Sequence, residues 1–169
     1  LRNRELVDEN LRQEGIKREL ELAGEMQSML VPKSWPVDVQ IDVSGYYQPH
    51  HQIGGDYYDC FELGAECIVI CMADVSGKGI GAALLMSNFQ ANVKAIFQGD
   101  DSDLISKVKI LNERVMDSAQ GEKYITFFAA IFHRSSKLIK YVNCGHNPPL
   151  WIDEKGVSSC LELGSVGLG

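Results

Sequence analysis

The sequence predicts an α+β fold, in which antiparallel sheets are flanked by helices. Segments that alternate apolar and polar residues, as strands do, form two clusters, and two segments with helical periodicity lie between them. Strands and helices grouped in this way disfavour a doubly wound parallel sheet, in which they alternate one by one. The length of 169 residues and the hydrophobic content of 45% are enough for one domain and a short appendage.

The predicted appendage is a charged helix over residues 1–30. Its apolar residues recur about one helical turn apart and form a narrow stripe of Val7, Leu11, Ile16, Leu20 and Ala23. So narrow a stripe is typical of a coiled-coil seam rather than of a core helix. Pro32 is expected to end the helix. We therefore expect a linker helix over residues 1–30 and a domain over residues 31–169. A solvated helix that packs on its own domain is the alternative.

Strands and helices are predicted in a defined order along the domain. A first strand is predicted over residues 37–44, where polar residues alternate with Val37, Val39, Ile41 and Val43. Only a short turn at Gly64 separates the next two strands, over residues 57–63 and 67–75, which therefore form an antiparallel hairpin. Two helices follow, over residues 82–96 and 104–115. A second hairpin is predicted over residues 124–132 and 138–142, and two short strands around Trp151 and Leu161.

Charge and hydropathy exclude several classes of function. The net charge of −7 and the isoelectric point near 5.1 argue against a broad nucleic-acid surface, which needs clustered lysine and arginine. No run of about 18 uncharged apolar residues predicts a membrane-spanning helix, and no signal peptide opens the chain. We therefore expect a cytoplasmic domain that binds no nucleic acid and has no direct membrane span.

The segment ADVSGKGIG, over residues 73–81, leads from a predicted strand into a predicted helix and contains three glycines. Their spacing is G-x-G-x-G, whereas a dinucleotide-binding turn needs G-x-G-x-x-G within a βαβ unit. The P-loop pattern does not occur in the sequence either. Nucleotide binding at this turn is therefore disfavoured.

Two aspartates adjoin glycines in neighbouring predicted strands. Asp74 ends a buried apolar strand, where an unpaired carboxylate carries a large desolvation cost. Asp56 follows Gly54 and Gly55 in the hairpin partner of that strand, so the two carboxylates should lie side by side. Mg²⁺ or Mn²⁺ would relieve their repulsion. The spacing alone leaves open the alternative that both aspartates only cap turns.

Four motifs, in their order and spacing, resemble those of bacterial PP2C-like (PPM) serine/threonine phosphatases of the SpoIIE and RsbU type. They are GGDYYD at 54–59, ADVSGKGIGAALLM at 73–86, YITFF at 124–128 and NCGHNPP at 143–149. The resemblance implies an α-β-β-α sandwich of two antiparallel sheets with two Mn²⁺ or Mg²⁺ ions between them. It also implies hydrolysis of phosphoserine or phosphothreonine without a phosphoenzyme. A non-catalytic PP2C-like interaction module is the alternative.

The resemblance also implies which residues form the site. Asp74 is expected to bridge both ions, the main-chain carbonyl of Val75 to add a ligand to one of them, and Asp56 to belong to the same cluster. Asp56 and Asp74 are therefore the expected catalytic residues.

The same resemblance gives neighbouring residues supporting roles. Gly77, Gly79 and Gly81 are expected to form a close-packed entry to the first helix of the domain beside the metals, and Gly55 is expected to support the site or a turn next to it. Asp59 is expected to lie behind the metal ligands or in a turn. His146 is expected to fix a turn rather than to act as a catalytic base.

The partners follow from the family as well. The implied substrate is a small phosphoprotein, typically a STAS-type anti-sigma factor antagonist in a partner-switching pathway. Domains of this kind commonly follow a sensor or receiver domain, and we expect the helix over residues 1–30 to pair in a homodimer that carries the upstream signal.

The end of the chain departs from the family pattern. The family continues past LGSVGLG, over residues 163–169, into a TDG element and a final acidic residue that carry further metal carboxylates. We therefore expect this chain to lack the C-terminal part of its domain, to bind metal weakly and to have little activity by itself. Natural loss of these ligands is the alternative.

Overall fold

The computed structural model describes residues 2–36, 41–49, 52–98, 103–162 and 164–169. Its elements, in chain order, are α1 (Arg2–Ser28), β1 (Asp56–Leu63), β2 (Cys67–Val75), α2 (Ile80–Phe97), α3 (Leu104–Ala119), β3 (Ile125–His133), β4 (Leu138–Cys144), β5 (Leu150–Ile152), β6 (Ser158–Cys160) and β7 (Gly164–Ser165). The predicted α+β class is confirmed, and so are both predicted hairpins and the two helices between them. None of the helices in these ranges is long and apolar enough to cross a membrane.

The main sheet has the strand order β1-β2-β3-β4-β7. Its first three pairings are antiparallel, as predicted, because short turns join the strands. Gly64, with a φ of 62°, lies in the turn between β1 and β2. The pairing of β7 with β4 is parallel, which departs from the all-antiparallel prediction. The chain can return in the same direction because the β5–β6 ribbon, a separate two-stranded sheet, lies in this connection.

Only part of the strand predicted over residues 37–44 can be compared with the structure. Residues 37–40 lie outside the described residues, and residues 41–44 form no strand, so that part of the prediction is wrong. The alternation of burial persists there, with Ile41 and Val43 partly buried. Nearby, the side chains of Trp35 and Tyr47 pack on Tyr58 of β1, with ring centroids 5.7 and 6.0 Å away. Side-chain contact rather than a strand ladder therefore accounts for the pattern.

The core lies between one face of the main sheet and the helices α2 and α3. Alternate residues of β2 and β3 point into it, and the helices contribute residues at helical spacing. The ring of Phe89 in α2 meets the rings of Tyr57 and Phe127 edge to face, at centroid distances of 6.4 and 5.1 Å. These contacts join two strands to one helix and fix which face of the sheet is buried.

Helix α1 contacts the domain near its C-terminal end. The side chain of Gln27 is buried, donates to the carbonyl of Gly54 at 2.8 Å and accepts from the N–H of Gly54 at 2.9 Å. A Cβ on Gly24 would collide with the carbonyl of Gln52. Further toward its N-terminus, apolar residues such as Leu11 stay exposed. The end of α1 is thus fixed to the segment that leads into β1. In the predicted stripe Val7 and Leu11 are exposed, whereas Leu20 is partly buried and lines a groove between α1 and α2.

A buried ion pair connects β1 to α2. Asp59 is 3% exposed, and one of its oxygens lies 2.7 Å from Nζ of Lys94. The same carboxylate accepts from the hydroxyl of Tyr57 and from the N–H of Cys60, both at 2.9 Å. The predicted turn role of Asp59 is wrong, because this residue lies in the middle of a strand. Its side chain faces the helices, so it does not lie behind the Asp56–Asp74 pair.

The ion pair predicts a difference between two lysine substitutions. Lys94→Ala leaves the carboxylate of Asp59 buried without its cation, and we expect it to lower the free energy of unfolding by about 2 kcal/mol. Lys17→Ala removes only an exposed pair with Glu21, 4.0 Å apart, and should cost less than about 0.5 kcal/mol. Urea unfolding of both variants measures this difference. Equal costs would show that the buried pair does not stabilise the fold.

Candidate functional site

Two carboxylates face each other across the first hairpin. Asp56 begins β1, and Asp74 lies one residue before the end of β2; the two are directly paired in the register of these antiparallel strands. Because alternate residues of a strand point to opposite faces, both side chains lie on the sheet face turned away from α2 and α3. The prediction that these two aspartates lie side by side is confirmed.

The two aspartates are less buried than the sequence predicts. Asp74 was expected to carry a large desolvation cost at the end of a buried strand, yet both Asp56 and Asp74 are exposed. The expectation is wrong because β2 is buried mainly on its helix-facing side, where Ala73 and Val75 point. Repulsion between two neighbouring carboxylates therefore remains as the unusual feature of the site.

The environment of Asp56 raises its pKa. Protein atoms around the carboxyl group displace water, and this partial burial is the largest cause of the rise. The negative charge of Asp74 and a hydrogen bond between the two side chains raise the pKa of Asp56 further, whereas His146 lowers it. Asp56 thus holds its proton to higher pH than an isolated aspartate would. A divalent cation would relieve the same repulsion.

His146 reaches this site from a distant part of the chain. Its Nδ1 lies 2.9 Å from Oγ1 of Thr126, the residue that pairs with Asp74 across β2 and β3. Burial lowers the pKa of His146, while Asp74 and Asp56 oppose that shift. The side chain of Asn143 bonds both the N–H and the carbonyl of His146, which supports the predicted turn role.

Sequence reasoning missed the position of His146 beside the carboxylates. Thr126 in the YITFF motif and His146 in the NCGHNPP motif were separate signals. Only the pairing of β3 with β2, and the return of β4 toward the same end of the sheet, bring these motifs together.

The glycines predicted to support the site have distinct structural reasons. Gly77 and Gly79 have φ values of 89° and 73°, which side-chain-bearing residues rarely adopt. Gly55 has no such φ, but a Cβ there would lie 3.0 Å from the carbonyl oxygen of Val75. The N–H of Val75 donates to the carbonyl of Gly55 at 3.3 Å. A glycine at position 55 therefore lets the chain before β1 pack closely against the Val75 carbonyl and against Ala82 of α2.

These residues fit part of a site for a hard divalent cation. Two facing carboxylates and the adjoining carbonyl of Val75 are oxygen donors of the kind that Mg²⁺ and Mn²⁺ prefer. Within the described ranges, no group of three or more His, Cys, Asp or Glu side chains is arranged to hold a metal. The donors supplied here are thus Asp56, Asp74 and the Val75 carbonyl.

The raised pKa of Asp56 predicts a pH-dependent effect of Asp56→Asn. The folded state binds more protons than the unfolded state between the ordinary aspartate pKa, about 3.9, and the raised folded value, so stability is lost as pH rises through that window. In EDTA, Asp56→Asn should raise the melting temperature by about 2 °C at pH 7 and leave it unchanged near pH 3. Asp117→Asn, on the exposed side of α3, is the matched control. A lower melting temperature for Asp56→Asn at pH 7 would contradict the assignment.

Comparison with known proteins identifies the family. The family described as "Stage II sporulation protein E (SpoIIE)" matches residues 64–169. The chain is 32% identical to phosphoserine phosphatase RsbU of Bacillus subtilis, over 92% of this chain and 46% of RsbU. It is 28% identical to phosphoserine phosphatase RsbP of the same species, over 90% of this chain and 38% of RsbP. The chain thus spans less than half the length of these relatives.

A solved structure shows the same fold. The SiaA-PP2C domain of Pseudomonas aeruginosa superposes with a TM-score of 0.73 at 17% identity, over 94% of this chain and 64% of that one. The PP2C phosphatase domain of SpoIIE from Bacillus subtilis superposes with a TM-score of 0.59 at 21% identity, over 69% of this chain and 34% of that one. The predicted resemblance is therefore confirmed, and the chain belongs to the SpoIIE family, with the fold of PP2C-like phosphatase domains.

Proposed function

We propose that the protein is a metal-dependent serine/threonine phosphatase that acts on a phosphoprotein. The observation that carries this proposal is the direct pairing of Asp56 with Asp74 on an open face of the sheet. Similarity to proteins named phosphoserine phosphatases supports the same reaction. The pair is exposed, so a phosphorylated side chain of another protein can approach it.

In the proposed reaction, Asp56, Asp74 and the carbonyl of Val75 hold Mn²⁺ or Mg²⁺. Such ions, when bound, withdraw charge from phosphate oxygens and lower the pKa of water. The two aspartates supply negative charge that lowers the cost of holding divalent cations, and Gly55 allows close packing against the Val75 carbonyl. His146, with its Nδ1 held near Thr126, lies beside the carboxylates, where it can orient a phosphoryl group.

The proposed substrate is a phosphorylated STAS-type protein, within a partner-switching pathway of the RsbU kind. The support is the similarity to RsbU and RsbP. An upstream sensor or receiver domain and a cytoplasmic location stay predictions from the family.

A specific observation favours a second candidate, a non-catalytic module of the same fold that binds a regulator. Within the described residues, the carboxylate pair has no third acidic or histidine side chain arranged with it as a metal ligand. The two candidates differ in one measurable property, because only the enzyme depends on Asp74 for release of phosphate.

Phosphate release tests the proposed reaction. We expect the full-length gene product with Mn²⁺ to release phosphate from a phosphorylated STAS protein, and Asp74→Asn to slow release on the order of 100-fold, because several kcal/mol of charge stabilisation are lost. Asp117→Asn serves as the control, because Asp117 lies on α3, far from the carboxylate pair. Absence of release by the wild-type protein, with substrate binding retained, would favour the non-catalytic module.

We also propose that residues 1–30 are a linker helix through which two copies of the chain pair. The support is the exposed apolar stripe of α1, in which Leu11 and Ile16 are 62% and 51% exposed. An apolar seam left in water is stabilised when a second helix covers it.

Sedimentation tests the proposed pairing. We expect this chain to sediment as a dimer and the same chain without residues 1–24 to sediment as a monomer, since the deletion removes the whole apolar stripe and keeps Gln27. Leu150→Glu, which changes an equally exposed leucine on β5, should leave the dimer intact. Identical monomer masses for all three proteins would rule out pairing through α1.

A further inference from the structure

Lys123 contacts the glycine turn from the loop that joins α3 to β3. Its Nζ donates to the carbonyl of Ser76 at 3.2 Å. The next residue, Tyr124, accepts from the N–H of Ser76 at 2.9 Å and donates its own N–H to Oγ of Ser76 at 3.0 Å. Two consecutive residues thus make three hydrogen bonds to the first residue after β2.

These bonds set the direction of the Val75 carbonyl. The carbonyl of Val75 and the N–H of Ser76 belong to one planar trans peptide, so they point in opposite directions. Since the N–H of Ser76 points to Tyr124, the residue before β3, the carbonyl of Val75 points to the other side, toward β1. There it lies against Gly55, where a Cβ would be only 3.0 Å from the carbonyl oxygen.

Lys123 contributes the side-chain part of this arrangement. An ammonium group makes a stronger hydrogen bond to a carbonyl than a neutral donor does. A Cβ on Gly77 would lie 2.8 Å from Nζ of Lys123, so the ammonium packs directly against the turn at the position where φ is 89°. The bond therefore holds the second peptide of the turn, between Ser76 and Gly77, in place.

The bond is not needed to finish α3. Gln120 ends that helix in the left-handed conformation, and its N–H donates to the carbonyl of Met116. The N–H of Glu122 donates to the carbonyl of Ala119 at 2.9 Å. Because the helix end already satisfies its carbonyls, the contact of Lys123 with Ser76 acts on the glycine turn.

We propose that Lys123 is a positioning residue, whose ammonium group locks the turn over residues 76–79 so that Asp74 and the Val75 carbonyl keep the arrangement needed for a divalent cation. The inference rests on the proposed metal-dependent function. It assigns Lys123 no contact with substrate; the lysine acts through Ser76 and the adjoining peptide.

Three variants of the full-length gene product test this role. Lys123→Met removes the charge and keeps the length of the side chain, whereas Lys123→Arg restores a cation. Lys155→Met, in the exposed turn between β5 and β6, is the matched control. Two properties are measured: hydrogen exchange of the amides over residues 76–79 in EDTA, and Mn²⁺ affinity by titration calorimetry.

We expect Lys123→Met to speed exchange in the turn roughly tenfold, the effect of losing one charge-assisted hydrogen bond. We expect the same variant to weaken Mn²⁺ binding about tenfold, as removal of a group that orients a metal ligand typically does. Lys123→Arg should recover most of both properties, and Lys155→Met should change neither.

The positioning role is overturned if Lys123→Met leaves exchange and Mn²⁺ affinity unchanged, or if Lys155→Met changes them as much. The exchange measurement needs no metal, so it decides the role of Lys123 even when the wild-type protein binds no Mn²⁺. Failure of the wild-type protein to bind Mn²⁺ counts against the proposed metal-dependent function and not against the role of Lys123.

Discussion

The antiparallel register between β1 and β2 sets the geometry of the whole site. It pairs Asp56 with Asp74 and runs without interruption to the pair of Leu63 with Cys67 beside the turn. A slip of one residue would turn one carboxylate into the apolar layer beneath the helices. The burial of Tyr57 and Ala73 on that layer opposes such a slip, because those side chains would then move into water. The core thus specifies where the charges lie.

One strand serves two purposes because its residues alternate. On the helix side of β1, Asp59 has a cation and two further hydrogen-bond donors, so its charge is compensated and contributes to the fold. On the open side, Asp56 has another carboxylate as its neighbour, and its pKa is raised. The two aspartates of the GGDYYD motif are three residues apart, which places them on opposite faces. The motif therefore combines a stabilising charge with a charge that costs stability until a cation binds.

The sequence predicted elements with strong periodicity better than contacts between distant segments. The helices, the hairpins and the pairing of Asp56 with Asp74 followed from local patterns, because short turns leave a strand few partners. The segment over residues 41–44 alternated like a strand but lacks a ladder, since alternation reports burial on one side and not hydrogen bonding. Lys123 lies 47 residues from Ser76, and no periodicity signals such a contact.

The glycine turn shows how such a contact changes the interpretation of a motif. A run of glycines after a strand first suggests backbone amides that surround a phosphate. Here the N–H of Ser76, which opens the turn, is used by Tyr124, and the ammonium of Lys123 packs against Gly77. The positive φ at Gly77 and Gly79 lets the chain leave β2 and enter α2 sharply. This geometry directs the carbonyl oxygen of Val75 toward β1. That oxygen is an acceptor, and an acceptor beside two carboxylates attracts a cation rather than an anion.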